Sequence, residues 1–192
     1  MFSNPLFILI YLNLIVWAVI PFRQLGKKYF YYFYFNTVGD YLTLYMRFLF
    51  HSNTNFFYIP CNFLMLLLIQ DVSSIKKYKL IYFALLFIVS ITYFLINLND
   101  SLILNALIYF LIIITLSKDF IKIFFRDGKI NMFVAVIILD ATISILRFLG
   151  IISGASNSYF YFYASVAFEI IIGFFFWIKE DNPKFHIKLY SN

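Results

Sequence analysis

Two stretches of the chain repeat a pattern in which a single carboxylate lies inside apolar sequence. Asp40 is followed seven residues later by Arg47, and Asp140 is followed seven residues later by Arg147. Both arginines precede a Phe-Leu pair. A carboxylate inside a membrane helix is costly and usually marks a functional site. Asp40 and Asp140 therefore predict a polar functional site with paired carboxylates.

The composition indicates that membrane helices must position these carboxylates. Hydrophobic residues make up 64% and charged residues 12% of the 192 residues, whereas a soluble domain is about a quarter charged. The mean hydropathy is +0.89. The chain is therefore predicted to be an integral membrane protein. In this class a net charge of +6 reflects basic residues at the cytoplasmic face, and we expect no nucleic-acid partner.

The apolar runs predict an all-α, polytopic membrane bundle that forms a single domain over residues 1–192. The first three residues carry no basic segment, so the first apolar run is expected to be a helix of the mature protein rather than a signal sequence. Seven transmembrane helices are predicted, at residues 4–20, 29–49, 56–70, 79–97, 102–117, 131–150 and 159–178.

The basic residues predict the orientation. Thirteen of the fifteen lie in loops and a tail on one side of the predicted bundle, and the two exceptions are Arg47 and Arg147. The positive-inside rule makes that side cytoplasmic, so the N-terminus is expected outside and the C-terminus in the cytoplasm. The expected location is a bacterial plasma membrane. The two exceptional arginines would lie toward the outer headgroups, where they could bind lipid phosphate.

Further matches extend the repeat beyond the two aspartates. Residues 52–58 resemble residues 156–162, and residues 9–15 resemble residues 107–113. The pattern predicts a 3+1+3 parallel internal repeat, with halves at about 4–70 and 102–178 and a linker helix at 79–97. Both aspartates would then lie near the middle of the membrane at similar depth.

Other polar residues are predicted within the spans. Glu169 lies halfway along the last span and is a candidate substrate-binding residue, together with Arg47 and Arg147. The asparagines Asn13, Asn62 and Asn105 and the intramembrane hydroxyls most simply form hydrogen bonds between helices.

No pattern predicts a cofactor or a metal. The chain has one cysteine and two histidines, which excludes an intramolecular disulfide and a thiolate cluster. It also lacks a Gly-rich phosphate loop and the H-E-x-x-H, G-x-S-x-G and C-x-x-C motifs.

Around Gly39-Asp40 the chain resembles the YhhN family of lysoplasmalogenase-like membrane proteins, which carry a G-D-x-L motif. The stretch from Asp140 to Arg147-Phe148 is similar to the family's second aspartate, which a basic residue and Phe follow. The segment Tyr161–Glu169 lies where a tyrosine and a Gln or His are usual, which makes Tyr163 a candidate substrate-binding residue. Asn62 stands near a common histidine and is a further substrate-binding candidate.

Some positions differ from the family pattern. Asn4 stands where the family has lysine, and Leu139 replaces the serine before the second aspartate. Seven spans are predicted where eight are usual.

The resemblance implies hydrolysis of the vinyl ether bond of a lysophospholipid, with release of a fatty aldehyde. It implies that Asp40 and Asp140 perform the reaction, without assigning which of them is the acid. Two other readings stay open. A 3+1+3 repeat is also the plan of small-solute transporters of the SWEET and PQ-loop type, although no Pro-Gln pair occurs. A non-catalytic membrane scaffold is the third reading, which the replacements at Asn4 and Leu139 favour.

Overall fold

The structure is a computed structural model that describes residues 5–50, 58–70, 80, 83–84, 87, 97–154, 158–180 and 186–188. Within these residues the fold is helical, apart from two short strands. In chain order the elements are α1 (Pro5–Arg23), α2 (Phe30–Phe50), α3 (Tyr58–Ile69), α4 (Leu98–Asp127), β1 (Lys129–Asn131), α5 (Met132–Ile152), α6 (Ser158–Ile178) and β2 (His186–Lys188).

The helices coincide with six of the seven predicted spans, and the prediction of an all-α bundle is confirmed for the described residues. Most of the fourth predicted span, 79–97, lies outside them. Three helices are long and apolar enough to cross a membrane, namely those that contain Asn99–Asp127, Met132–Ile152 and Phe160–Ile178. The chain is thus compatible with a membrane protein. Helix α2 has a similar length but is more polar, since its 21 residues include five tyrosines as well as Asn36 and Asp40.

Helix α4 is much longer than its predicted span of 102–117. It has 30 residues, a length of about 45 Å, which exceeds the hydrocarbon core of about 30 Å. The Asn97 side chain caps its first turn, and Gly128 ends it with a positive φ of 60°. Apolar length alone ended the prediction at Lys118. In the structure the residues from Lys118 to Arg126, which had been assigned to a loop, continue the helix.

The six helices form a closed ring. Each packs against the next helix of this set in the chain, and α6 packs against α1. Aromatic side chains fill one half of the ring, where the rings of Phe33 and Phe176 lie 4.7 Å apart and those of Phe133 and Phe176 lie 5.1 Å apart. Trp17 packs on the same group.

Ion pairs and the two strands lie at the half of the ring that aromatic side chains fill. Arg23 and Lys27 lie 3.5 and 3.4 Å from Glu180, and Lys28 lies 2.6 Å from Asp119. Strand β1 pairs with β2 in antiparallel register, with Ile130 opposite Ile187. These contacts bring the C-terminal ends of α1, α4 and α6 together with the first residues of α2 and α5. We call this the basic end.

Candidate functional site

A cavity of about 480 Å³ lies inside the ring; we call it the ring cavity. All six helices contribute to its wall, which is mostly apolar. The lining residues of α1 come from its first half and those of α2 from its last half, so the cavity lies away from the basic end. The polar and tyrosine side chains in the wall are Tyr11, Asn13, Asp40, Thr43, Tyr58 and Arg147.

Asp40 reaches the ring cavity from α2, and its carboxyl is half-buried. The hydroxyl of Tyr58, the first residue of α3, donates a hydrogen bond of 2.7 Å to Asp40 Oδ1. This bond fixes one carboxyl oxygen and connects α2 to α3. The other oxygen, Oδ2, forms no hydrogen bond within the described part of the chain.

Arg147 reaches the same cavity from α5, and Glu169 of α6 holds it. Arg147 Nη1 lies 2.7 Å from Glu169 Oε1 and donates a hydrogen bond of 3.0 Å to Oε2. Asn13 Nδ2 of α1 donates to the same Oε2 over 3.1 Å. Glu169 does not line the cavity itself. It lies behind the wall and connects three helices through one carboxylate.

A tight seam between α1 and α6 supports this cluster. Trp17 Nε1 donates a hydrogen bond of 3.2 Å to the backbone oxygen of Glu169. A Cβ atom added at Gly173 would lie 2.6 Å from Val16 Cγ1 and 3.2 Å from Trp17 Nε1. The seam therefore requires a residue without a side chain at position 173.

Asp140 has a different environment from Asp40. It is 1% exposed, and it is not part of the ring-cavity wall. The hydroxyl of Tyr32 donates a hydrogen bond of 2.7 Å to Asp140 Oδ2. Tyr32 lies eight residues before Asp40 on α2, about 12 Å nearer the basic end. The two carboxyls thus meet α2 at different heights.

The remaining substrate-binding candidates do not meet at the ring cavity. Asn62 Nδ2 donates to Asn105 Oδ1 over 2.8 Å, and Asn105 Nδ2 donates to the backbone oxygen of Ser101 over 2.9 Å. This chain of bonds joins α3 to α4, as expected for an interhelical contact. Tyr163 is half-buried on α6 and outside the cavity wall. The side chain of Arg47 lies outside the described residues.

Sequence reasoning did not single out Tyr58 and Tyr32, the two hydroxyl partners of the aspartates. The chain has 16 tyrosines, and no local pattern distinguishes these two from the others. Asn13 had been interpreted as an interhelical contact, and in the structure it both bridges helices and lines the cavity.

Among the described residues, no group of three or more His, Cys, Asp or Glu side chains is placed to hold a metal ion. Cys61 is buried and unpaired by a disulfide.

Comparisons with known proteins find no matching family model, no similar curated protein and no similar solved structure. A carboxyl held by a phenol faces an apolar cavity, beside a guanidinium that a second carboxylate neutralises. Such a group can transfer a proton to and from an apolar ligand.

Proposed function

We propose that the protein is an intramembrane lipid hydrolase of lysoplasmalogenase type, which cleaves a vinyl ether in the ring cavity with Asp40 as the acid and base. The observation that carries the proposal is that Asp40 and Arg147 line one mostly apolar cavity. Ligand pockets commonly enclose about 300–1,000 Å³ with few polar groups, a range that includes this cavity. The resemblance to the YhhN family around Gly39-Asp40 supports the choice of reaction.

The reaction needs one group that first gives and then accepts a proton. The Asp40 carboxyl delivers its proton to the β-carbon of the vinyl ether, which forms a C–H bond and leaves the positive charge shared by the α-carbon and the ether oxygen. Water adds to that carbon and returns a proton to the Asp40 carboxylate. The hemiacetal then collapses: its C–O bond to the former ether oxygen breaks, its hydroxyl proton is transferred to that oxygen, and an aldehyde and an alcohol leave. Tyr58 orients the carboxyl through Oδ1, so that Oδ2 faces the substrate.

Asp140 has a positioning role in this proposal. Its bond with Tyr32 joins α5 to α2, and these two helices carry Arg147 and Asp40. A buried hydrogen bond between two helices fixes their relative height, so the pair holds the two cavity residues in register.

The proposal places the bundle in a membrane with the basic end in the cytoplasm and the ring cavity in the outer half. Residues 79–97 would supply a seventh span. The repeat is supported by the order of packing, because α1, α2 and α3 follow one another around the ring as α4, α5 and α6 do. Each seam between the halves also carries a polar bridge, Asn62 with Asn105 and Glu169 with Asn13.

The same ring also favours a second function, a small-solute transporter, because six helices line one cavity. A transporter would exchange its solute across proteoliposomes without chemical change. A hydrolase would release product in detergent, where no gradient exists. A scaffold would do neither and would co-purify with another protein.

The test is aldehyde release from a vinyl ether lysolipid by the purified protein in detergent. Asp40→Asn keeps the shape of the side chain but removes the acid, so we expect activity to fall by about 10²–10⁴-fold. Asp119→Asn is the matched control, because it removes a carboxylate at the basic end that pairs with Lys28. An Asp40→Asn variant as active as the wild type would overturn the proposal.

A further inference from the structure

The charges around the ring cavity point to the class of ligand. We infer that the cavity binds a single-chain amphiphile whose polar head donates hydrogen bonds and carries no negative charge, a hydroxyl or an ammonium head, and that it excludes phosphate. This inference rests on the proposed function for the location of the ligand and narrows the substrate to a vinyl ether lipid without a phosphate, in contrast to the lysophospholipid that the family resemblance implies.

Asp40 is an acceptor that lies near Arg147 without contacting it directly. Within the described residues it forms no ion pair, and its hydrogen-bond partner is the neutral hydroxyl of Tyr58. The free oxygen of this carboxyl lies in an apolar wall, where a donor from the ligand replaces the water that burial removes.

Arg147 is not an anion receptor, although its charge suggests one. Its side chain is 17% exposed and that of Glu169 is 7% exposed. One guanidinium nitrogen contacts both oxygens of the Glu169 carboxylate. The positive charge is therefore neutralised inside the protein before any ligand enters.

The group formed by Asp40, Glu169 and Arg147 thus contains two carboxyl groups and one guanidinium. It has one net negative charge when Asp40 is ionised and no net charge when Asp40 is protonated. A phosphate would bring further negative charge next to two acidic side chains in a region of low dielectric, where repulsion is much stronger than in water.

A second acceptor supports this inference. Asn13 is 8% exposed and lines the cavity. Its Nδ2 is used by Glu169, and its Oδ1 has no hydrogen-bond partner among the described residues. Asn13 and Asp40 therefore leave two acceptor oxygens for a ligand that donates. The aromatic rings of Tyr11, Phe148 and Phe162 in the wall suit a hydrocarbon chain and can also face an ammonium group.

Three saturated probes with the same dodecyl chain separate the possibilities: a dodecyl glycerol ether, dodecylammonium and dodecyl phosphate. Binding to the full-length protein is measured in a neutral detergent by the rise in Tm with probe concentration. We expect the glycerol ether or the ammonium probe to bind at least tenfold more tightly than the phosphate, and the stronger of the two identifies the head. A phosphate probe that binds equally well or better overturns the inference, as does a wild-type protein that binds none of the three.

Two variants test the charge balance itself. Glu169→Gln keeps the shape of the side chain but replaces the carboxylate with a neutral amide and leaves the charge of Arg147 unneutralised, so binding of the phosphate probe should strengthen at least tenfold. Asp40→Asn should weaken binding of the ammonium probe more than binding of the glycerol ether. This second variant tests the charge balance if Glu169→Gln fails to fold. Asp119→Asn should leave all three affinities unchanged. Unaltered selectivity in both cavity variants overturns the inference.

The probes contain no vinyl ether and cannot be hydrolysed. Selective binding without any aldehyde release would therefore sink the proposed function but leave the ligand class standing. Hydrolysis with a preference for phosphate heads would support the proposed function and overturn the inferred ligand class.

Discussion

Asp40 and Asp140 begin the same local pattern but have different environments in the ring. Asp40 is half-buried and lines the ring cavity, whereas Asp140 is 1% exposed and outside its wall. Each accepts a 2.7 Å hydrogen bond from a tyrosine hydroxyl. The partner is Tyr58 at the start of α3 for Asp40, and Tyr32 near the start of α2 for Asp140. The difference shows that a repeated sequence pattern need not produce a repeated site.

The packing of the two halves explains the difference. Near the basic end, aromatic side chains fill the inside of the ring, with Phe33, Phe133 and Phe176 in mutual contact. In the other half the wall includes smaller side chains such as Asn13 and Thr43, and open volume remains. The same kind of residue is thus structural where the ring is filled and available for chemistry where it is open.

The largest expected effect separates the two aspartates in catalysis. Asp40→Asn should lower the kcat of aldehyde release by about 10²–10⁴-fold, because the carboxyl that Asp40 contributes to the cavity wall is lost. Asp140→Asn should retain most of the kcat per folded molecule, since the amide can still accept from Tyr32. Equal losses in the two variants, measured on the folded fraction, would contradict the distinction.

The next effect concerns the ion pair beside Asp40. Arg147→Met removes the cation but leaves Glu169 charged and buried, which should lower the free energy of unfolding by about 3–5 kcal/mol. The double variant Arg147→Met with Glu169→Gln should recover part of this loss, because no unpaired charge remains. Denaturation in mixed detergent micelles measures both, and a double variant less stable than Arg147→Met would refute the pairing.

A smaller effect is expected at Asp140, which is buried outside the ring-cavity wall. Tyr32→Phe removes the hydroxyl that donates to Asp140. The free energy of unfolding should fall by about 1–3 kcal/mol, because a buried carboxyl loses its hydrogen bond. Tyr58→Phe is the matched change at Asp40, and because that carboxyl faces the open cavity we expect a smaller loss of stability with a lowered kcat. A loss of kcat confined to Tyr32→Phe would contradict the assignment of Asp40 to catalysis and Asp140 to positioning.

An effect of similar size is expected when two helix seams are compared. Gly173→Ala should destabilise the protein by about 1–3 kcal/mol through overpacking, since the new Cβ would lie 2.6 Å from Val16 Cγ1. Gly39→Ala, just before Asp40, should be tolerated, because its Cβ would meet Tyr58 at an ordinary 3.4 Å. Thermal unfolding of the two variants makes the comparison. Equal Tm values would show that the α1–α6 seam is looser than described.

Apolar length was sufficient to predict six helices to within a few residues at most ends. It failed at α4, because a helix capped by Asn97 and Gly128 can continue through charged residues beyond the apolar core. The pairing of β1 with β2 joins residues more than fifty positions apart, and no local pattern predicts it.

The candidate site was predictable residue by residue but not as an arrangement. Asp40, Arg147 and Glu169 are each conspicuous as charges inside apolar sequence. That Glu169 neutralises Arg147, and that Tyr32 seals Asp140, depends on contacts between distant helices. The same sequence pattern around both aspartates therefore predicted equal roles, whereas the packing gives them different environments.

The chemical reactivity of the two aspartates is the most direct test of this account. A lipid-soluble carbodiimide modifies protonated carboxyl groups that it can reach within a membrane protein, and mass spectrometry locates the adduct. We predict modification of Asp40, protection of Asp40 by a ligand in the ring cavity, and no modification of Asp140 in the folded protein. Modification of Asp140 at the same rate as Asp40 would contradict the division into an open and a sealed carboxyl.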